Sequence, residues 1–184
     1  RSVAVRVARN EMISSALNHK KLSARTLKEA NSSTDENTGF VTTFCEETPF
    51  INQPNPGSCT GFLVGPDLLL TAGHCASSEE MCASHDWIFD FQTDQSGKVD
   101  LDISNDRIYS CKRIIRAMTP DNYGMDFALI QLNRDVVGRP SLDLNIADHV
   151  GKSDKMLMIG SPLGLPLKIS PNALVRDDDQ VATF

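Results

Sequence analysis

The segment SCTGFLVGPDLLLTAGHC, which runs from Ser58 to Cys75, decides the fold of this chain. Two short apolar runs, at residues 59–64 and 68–71, are separated by Gly65-Pro66-Asp67, a combination that is typical of a tight turn. The pattern predicts two neighbouring strands that lead directly into His74. Because the two residues before that histidine are alanine and glycine, the backbone can turn closely beneath its ring.

The rest of the chain is also divided into short apolar runs that are separated by turn residues. Residues 2–7 are rich in β-branched side chains and suit a further strand, whereas the spacing at residues 10–21 is compatible with a helix. Short strands in this arrangement favour an all-β barrel or sandwich over alternating β-α-β units. Further strands are predicted at residues 87–91, 108–115, 127–132 and 156–159.

Length and composition limit the classes of function that this chain can have. With 184 residues, 40% of them hydrophobic, the chain can bury one sizeable core or two small ones that share an interface. The net charge is −6 and the lysines and arginines are dispersed, which argues against nucleic acid as a partner. No stretch approaches the roughly 20 apolar residues of a membrane span, so no membrane partner is expected.

Five cysteines, at positions 45, 59, 75, 82 and 111, are more than a typical cytosolic domain carries without a metal. They favour an oxidising compartment, so we expect the protein to be secreted or periplasmic. The odd number leaves one thiol that is free, pairs with another molecule, or pairs with a cysteine outside these residues.

The sequence that ends at His74-Cys75 resembles the region around the catalytic histidine in the trypsin-like serine peptidase superfamily. The resemblance implies that His74 is a general base. It also implies a disulfide between Cys59 and Cys75, 16 residues apart, that braces the histidine loop. Such a brace matters because a general base must lie within about 2.6–3.2 Å of the group from which it takes a proton.

Two other interpretations of His74 are open at this point. An isolated histidine at the end of a strand is commonly a structural residue. A zinc site is the other interpretation, since His74, Cys75, Cys82 and His85 lie within twelve residues. No Cys-x₂-Cys pair occurs, however, and adjacent histidine and cysteine ligands are poorly arranged for tetrahedral coordination, so we predict neither a metal nor a cofactor.

A general-base histidine needs a carboxylate at its other ring nitrogen, which fixes the tautomer and stabilises the imidazolium. Asp126 is the candidate. It opens an Asp-x-Ala-Leu-Ile sequence that resembles the aspartate motif of trypsin-like peptidases, and it follows His74 by 52 residues, which fits the superfamily's order and spacing. A lone aspartate before a strand is usually a turn residue, but with the histidine motif it makes His74 and Asp126 the predicted catalytic residues.

Residues 159–168, with the sequence IGSPLGLPLK, resemble a Gly-x-Pro-x-Gly-x-Pro strand and turn of the bacterial glutamyl-endopeptidase-like, or V8-like, branch. The fold that the resemblance implies is all-β, with two antiparallel six-stranded β-barrels and a catalytic groove between them. The second barrel is expected to be incomplete in this chain. The predicted divisions are an N-terminal segment at residues 1–35, a first barrel at residues 36–135, and a linker with the start of the second barrel at residues 136–184.

In that family the nucleophilic serine lies in a Gly-x-Ser-Gly motif, and no such motif occurs in these 184 residues. Glycine precedes serine only at Gly57-Ser58 and Gly160-Ser161. Ser161 is a poor nucleophile candidate, because Pro162 removes a backbone N–H that an oxyanion hole could use. We therefore expect the nucleophile beyond Phe184, in a C-terminal segment of the same enzyme that either continues this sequence or is a separate cleaved chain.

The predicted function is that of a secreted serine endopeptidase, which hydrolyses peptide bonds of polypeptide substrates through an acyl-enzyme. The alternative is a catalytically inactive trypsin-like domain that serves as a binding module. A second disulfide between Cys82 and Cys111 is compatible with the places of both residues near strands of the first unit. Cys45 would then be free or joined to a cysteine in the C-terminal segment, and other pairings stay open.

Overall fold

The computed structural model of the protein describes residues 1–23, 25–120, 124–145 and 150–176. Short strands dominate, and neither described helix is long and apolar enough to cross a membrane. The elements are β1 (Val3–Ala8), β2 (Met12–Ser14), β3 (His19–Leu22), α1 (Leu27–Ala30), β4 (Ser33–Thr34), β5 (Val41–Thr42), β6 (Gly57–Leu63), β7 (Leu68–Thr71), α2 (Glu79–Ser84), β8 (His85–Phe89), β9 (Asp102–Ser104), β10 (Ile108–Met118), β11 (Phe127–Leu132), β12 (Lys155–Gly160) and β13 (Lys168–Leu174).

Six of these strands close into a barrel in the order β1, β6, β7, β11, β10, β8, and each neighbouring pair is antiparallel. Side chains alternate between the two faces of a strand, so β6 buries Cys59, Gly61 and Leu63 and leaves the residues between them only partly buried. Trp87 and Phe89 of β8 join the same core. The expected all-β fold with a six-stranded antiparallel barrel is thus confirmed.

The barrel takes its first strand from the N-terminus. Val5 of β1 lies opposite Thr60 of β6 on one side and opposite Ile88 of β8 on the other. From the sequence we expect an N-terminal segment at residues 1–35 and a separate first barrel at residues 36–135. The observed barrel also includes β1, a strand from that N-terminal segment. β1 fits there because its middle residues are buried on both faces, with Ala4 in the barrel core and Val7 in a second cluster outside it.

The helix expected at residues 10–21 is wrong. The chain instead makes a 3-10 turn at Arg9–Glu11 and then the β2–β3 hairpin, against which β9 adds a third strand. Met12 and Leu22, two of the apolar residues whose spacing is compatible with a helix, lie opposite each other across that hairpin. Both side chains are buried in the second apolar cluster, which covers the outer face of β1.

Residues 26–56 form a mainly exposed excursion between the N-terminal hairpin and β6. It begins with α1, where the Thr26 hydroxyl accepts from the Glu29 backbone N–H and the Glu29 carboxylate accepts from the Thr26 backbone N–H. The β4–β5 pair follows. Cys45 lies in this excursion, where it is exposed and makes no disulfide among the described residues.

The hairpin of β12 and β13 is the described part of the second unit, and these strands pair with each other but with no other described strand. Residues 156–159 of β12 are apolar, and each is 42–66% exposed. The second barrel is therefore incomplete in the part of the chain that the structure describes, as expected. Residues 177–184, the end of the predicted third division, lie outside the described part of the chain.

The turn between β12 and β13 docks on the first barrel. The Ser161 backbone N–H donates to the Thr60 hydroxyl at 2.8 Å, and the Leu167 N–H donates to the Phe91 carbonyl at 2.8 Å. Gly164 lies against Gly57 of β6, so closely that a Cβ built on Gly164 would stand 1.9 Å from the Gly57 carbonyl oxygen. The absence of a side chain at Gly164 thus permits the contact between the two units.

Gly138 and Gly164 offer a matched test of this contact, since their φ angles are +75° and +77°. A Cβ on Gly138 would meet no atom within 4 Å. We expect Gly138→Ala to lower the free energy of unfolding by about 1–2 kcal/mol, the cost of a left-handed backbone. Gly164→Ala should cost about 1–3 kcal/mol more, because two backbones must also move apart. Urea unfolding measures both, and equal losses would contradict the close contact.

Candidate active site

The register between β7 and β11 brings the two predicted catalytic residues together. Ala128 of β11 lies opposite Thr71 of β7 in an antiparallel pair. Because the strands run in opposite directions, the chain leaves β7 and enters β11 at the same end of the sheet. His74 follows β7 and Asp126 precedes β11, so both lie at that end.

His74 and Asp126 make two hydrogen bonds. The His74 ring nitrogen Nδ1 lies 2.6 Å from Asp126 Oδ2, and the His74 backbone N–H donates to Asp126 Oδ1 at 2.9 Å. The aspartate side chain is 11% exposed, whereas that of the histidine is 64% exposed. With Nδ1 as the donor to the carboxylate, Nε2 keeps a lone pair that can accept a proton from a hydroxyl group.

The environment of Asp126 favours its charged form. Desolvation acts to raise the pKa of this carboxyl, but the hydrogen bonds from the His74 backbone and ring, the charge of His74 and the Gly73 backbone N–H together outweigh it. The pKa of Asp126 therefore lies below the usual aspartate value. An ionised carboxylate at this place orients the ring and stabilises a positive imidazolium.

Two covalent and steric constraints hold the His74 turn. A disulfide joins Cys59 of β6 to Cys75, with the Cα atoms 6.2 Å apart, and both cysteines are buried. Gly73 approaches β10 so closely that a Cβ on it would lie 1.8 Å from the Met118 carbonyl oxygen. The 3-10 turn Gly73–Cys75 is thus fixed on one side by a covalent bond and on the other by backbone contact.

A second disulfide joins Cys82 of α2 to Cys111 of β10, with the Cα atoms 5.1 Å apart. In the zinc interpretation His74, Cys75, Cys82 and His85 would bind the metal. The two disulfides argue against it, because each of those cysteine sulfurs is bonded to another cysteine. Cys59, His74 and Cys75 also place their ligand atoms within 4.8 Å of one another, but the two sulfurs form the first disulfide. Neither set offers a thiolate to a metal in this structure.

Sequence reasoning missed Arg6, which lies on β1 and reaches the same turn. Its Nη1 donates to the Cys75 carbonyl, and its Nε donates to the Ser58 hydroxyl at 3.0 Å. Arg6 therefore links Ser58, the residue before Cys59, to Cys75, the other cysteine of the disulfide. No signal near position 6 could have revealed this, because Cys75 lies 69 residues further along the chain.

Ser161, the one serine in a Gly-Ser-Pro sequence, is buried at 3% exposure in the junction between the two units. Its backbone, not its hydroxyl, makes the contact with Thr60. Among the described residues, no serine hydroxyl is hydrogen-bonded to the ring of His74. The site as described therefore holds a base and its orienting carboxylate.

Comparison with known proteins agrees with this geometry. The model of the family described as Trypsin matches residues 42–174, which is more than half of the chain and includes both His74 and Asp126. No curated protein matches the chain. On the family match, the chain belongs to the trypsin family and is a trypsin-like serine peptidase.

Proposed function

We propose that this protein is a secreted endopeptidase in which His74 is the general base and Asp126 orients it. The pair of hydrogen bonds between these residues is the observation that carries the proposal. His74 Nε2 takes the proton of a serine hydroxyl as that oxygen attacks the scissile carbonyl. The resulting imidazolium then gives the proton to the leaving amine, and water hydrolyses the acyl-enzyme by the same route.

The nucleophilic serine and the oxyanion hole belong, on this proposal, to a C-terminal segment beyond Phe184 that completes the second barrel. The exposed apolar residues of β12 support it, since an isolated two-stranded hairpin is marginally stable in water and needs further strands against its apolar face. The lack of a Gly-x-Ser-Gly motif in the 184 residues supports it as well. That segment also would supply most of the pocket for the substrate side chain.

Two observations support finer parts of the proposal. The disulfides Cys59–Cys75 and Cys82–Cys111 suit a secreted or periplasmic protein, because reducing compartments do not maintain structural disulfides. The docked turn at residues 160–166 keeps the Gly-x-Pro-x-Gly-x-Pro spacing, which supports membership of the V8-like branch. We propose no metal or cofactor for the reaction.

The labelling of a serine tests the proposal directly. We expect a fluorophosphonate probe to react with the protein isolated from its natural source, since only an activated hydroxyl attacks it. Peptide mapping by mass spectrometry should place the label outside residues 1–184. A label on Ser161 or another serine of this chain would overturn the assignment of the nucleophile. No label at all would favour the alternative, a catalytically inactive trypsin-like domain that binds its partners.

The roles of His74 and Asp126 are tested by substitution in the unlabelled full-length enzyme. We expect His74→Ala to lower kcat by about 10⁴- to 10⁶-fold with little change in the melting temperature, because the exposed ring serves mainly the reaction. Asp126→Asn should lower kcat by about 10⁴-fold, because it favours the wrong tautomer. Asp135→Asn, at an exposed carboxylate, is the control. Activity that survives His74→Ala would refute its role as the base.

The lowered pKa of Asp126 predicts a pH dependence of stability. The pKa of an aspartate in an unfolded chain is about 3.9, and the pKa of Asp126 in the folded protein lies below that value. The contribution of Asp126 is therefore complete above pH 4 and is lost as the pH falls through the lower folded pKa. In urea unfolding, the stability difference between the protein and Asp126→Asn should shrink as the pH falls from 5 to 2. A difference that stays constant over this range would contradict the shift.

A further inference from the structure

A cavity of about 380 Å³ opens beside Ser58, the residue that precedes the disulfide cysteine Cys59. Arg6 and Ser58 line it from adjacent strands of the barrel, and Arg25 lines it from the loop before α1. Leu163 of the docked turn forms part of its wall, whereas neither His74 nor Asp126 lines it. Three of the residues around it are charged, namely Arg6, Glu11 and Arg25.

Arg6 is the unusual member of this cavity, because it is 7% exposed and no described carboxylate forms an ion pair with it. A guanidinium has five N–H donors. Two of its donors are satisfied, by the Cys75 carbonyl and by the Ser58 hydroxyl. The Nη2 group has no acceptor among the described residues, and it is not one of their buried unpartnered atoms, so its N–H groups are accessible from solvent. Because most of the guanidinium is removed from water, an anion that reaches Nη2 through the cavity would stabilise its charge.

The charges of the lining favour an anion. Arg25 is a second cation, and Glu11 is the carboxylate that lines the same cavity. His85 also lines it, and desolvation together with the charge of Arg6 lowers the pKa of its imidazole, so the ring is neutral at pH 7. Desolvation also lowers the pKa of Arg6, as expected for a cation without a counter-ion. Two arginines thus face one glutamate, which leaves an excess of one positive charge.

We propose that this cavity is a carboxylate-binding site, with the Arg6 guanidinium at its floor and Arg25 at its rim. A carboxylate matches the planar fork of a guanidinium and can accept two N–H groups at once. The carboxylate can come from the side chain of a bound polypeptide or from a free organic acid. Only the first source rests on the proposed function, because it treats the polypeptide as a substrate.

The site has a direct connection to His74. The arginine that would hold the carboxylate also donates to the carbonyl of Cys75, the residue after the histidine. A ligand that pairs with Arg6 therefore contacts the same group that ties the His74 turn to β1. Binding is expected to change the environment of that turn without contact to the imidazole itself.

A binding titration of the protein tests the proposal and requires no catalysis. The probes are N-acetylglutamate, a short blocked peptide with one glutamate, and the same peptide with glutamine in its place. NMR spectra of the arginine side chains and backbone amides report binding. We expect saturable shifts at Arg6 and Cys75 with the glutamate peptide and none with the glutamine peptide. Equal shifts with both peptides would overturn the proposal. Response to N-acetylglutamate but not to the peptide would assign the site to free acids.

Substitutions locate the site. We expect Arg6→Met to weaken binding of the glutamate peptide by about 10- to 100-fold, the loss of hydrogen bonds to a charged group. Arg25→Ala, at an exposed rim position, should weaken it about threefold and leave the fold intact, so the test survives if Arg6→Met fails to fold. Arg116→Ala, exposed on β10 and outside the cavity, is the control. Binding unchanged in Arg25→Ala, or weakened equally in Arg116→Ala, would refute the assignment. If the protein binds the peptide but has no serine that reacts with the fluorophosphonate probe, the carboxylate-binding site is supported and only the proposed function is refuted.

Discussion

The antiparallel register between β7 and β11 places Ala128 opposite Thr71, and the geometry of the candidate site depends on that pairing. Ala128, Ile130 and Leu132 are each no more than 1% exposed, whereas the residues between them are partly exposed. A slip of one residue would turn all three towards the opposite face. The hydrophobic effect thus enforces the register, and the distance between His74 and Asp126 follows from the burial of side chains that take no part in chemistry.

The turn that carries His74 is held by groups from three separate strands. β6 contributes a cysteine, β10 contributes the Met118 carbonyl next to Gly73, and β1 contributes Arg6. Each tie reaches the backbone or a neighbour of the histidine, so the imidazole itself stays 64% exposed. His74 is therefore held rigidly and yet remains accessible. An exposed ring on a loop without such ties would lose its orientation to rotamer and backbone freedom.

The sequence predicts the parts of this molecule that depend on local patterns. The strand pairs, the partners His74 and Asp126 and the bridge from Cys59 could be expected because short motifs encode them and a family resemblance orders them. Arg6 could not, because its burial results from contacts 52 and 69 residues away. The helix expected at residues 10–21 failed for a related reason. Residues ten positions apart lie about 80° from each other around a helix, so Met12 and Leu22 give only a weak helical pattern, and in the hairpin they lie directly opposite each other and cover the outer face of β1.

The membership of β1 in the barrel has a consequence for how the protein folds. This strand is synthesised before its partners β6 and β8, which follow much later along the chain. Until both are present, four consecutive residues of β1 that are buried in the folded protein remain exposed to water. Closing such long loops costs chain entropy before any contact compensates for it, so barrel closure by β1 is expected to be a slow step. During that interval the unpaired strand is exposed to aggregation or to capture by a chaperone.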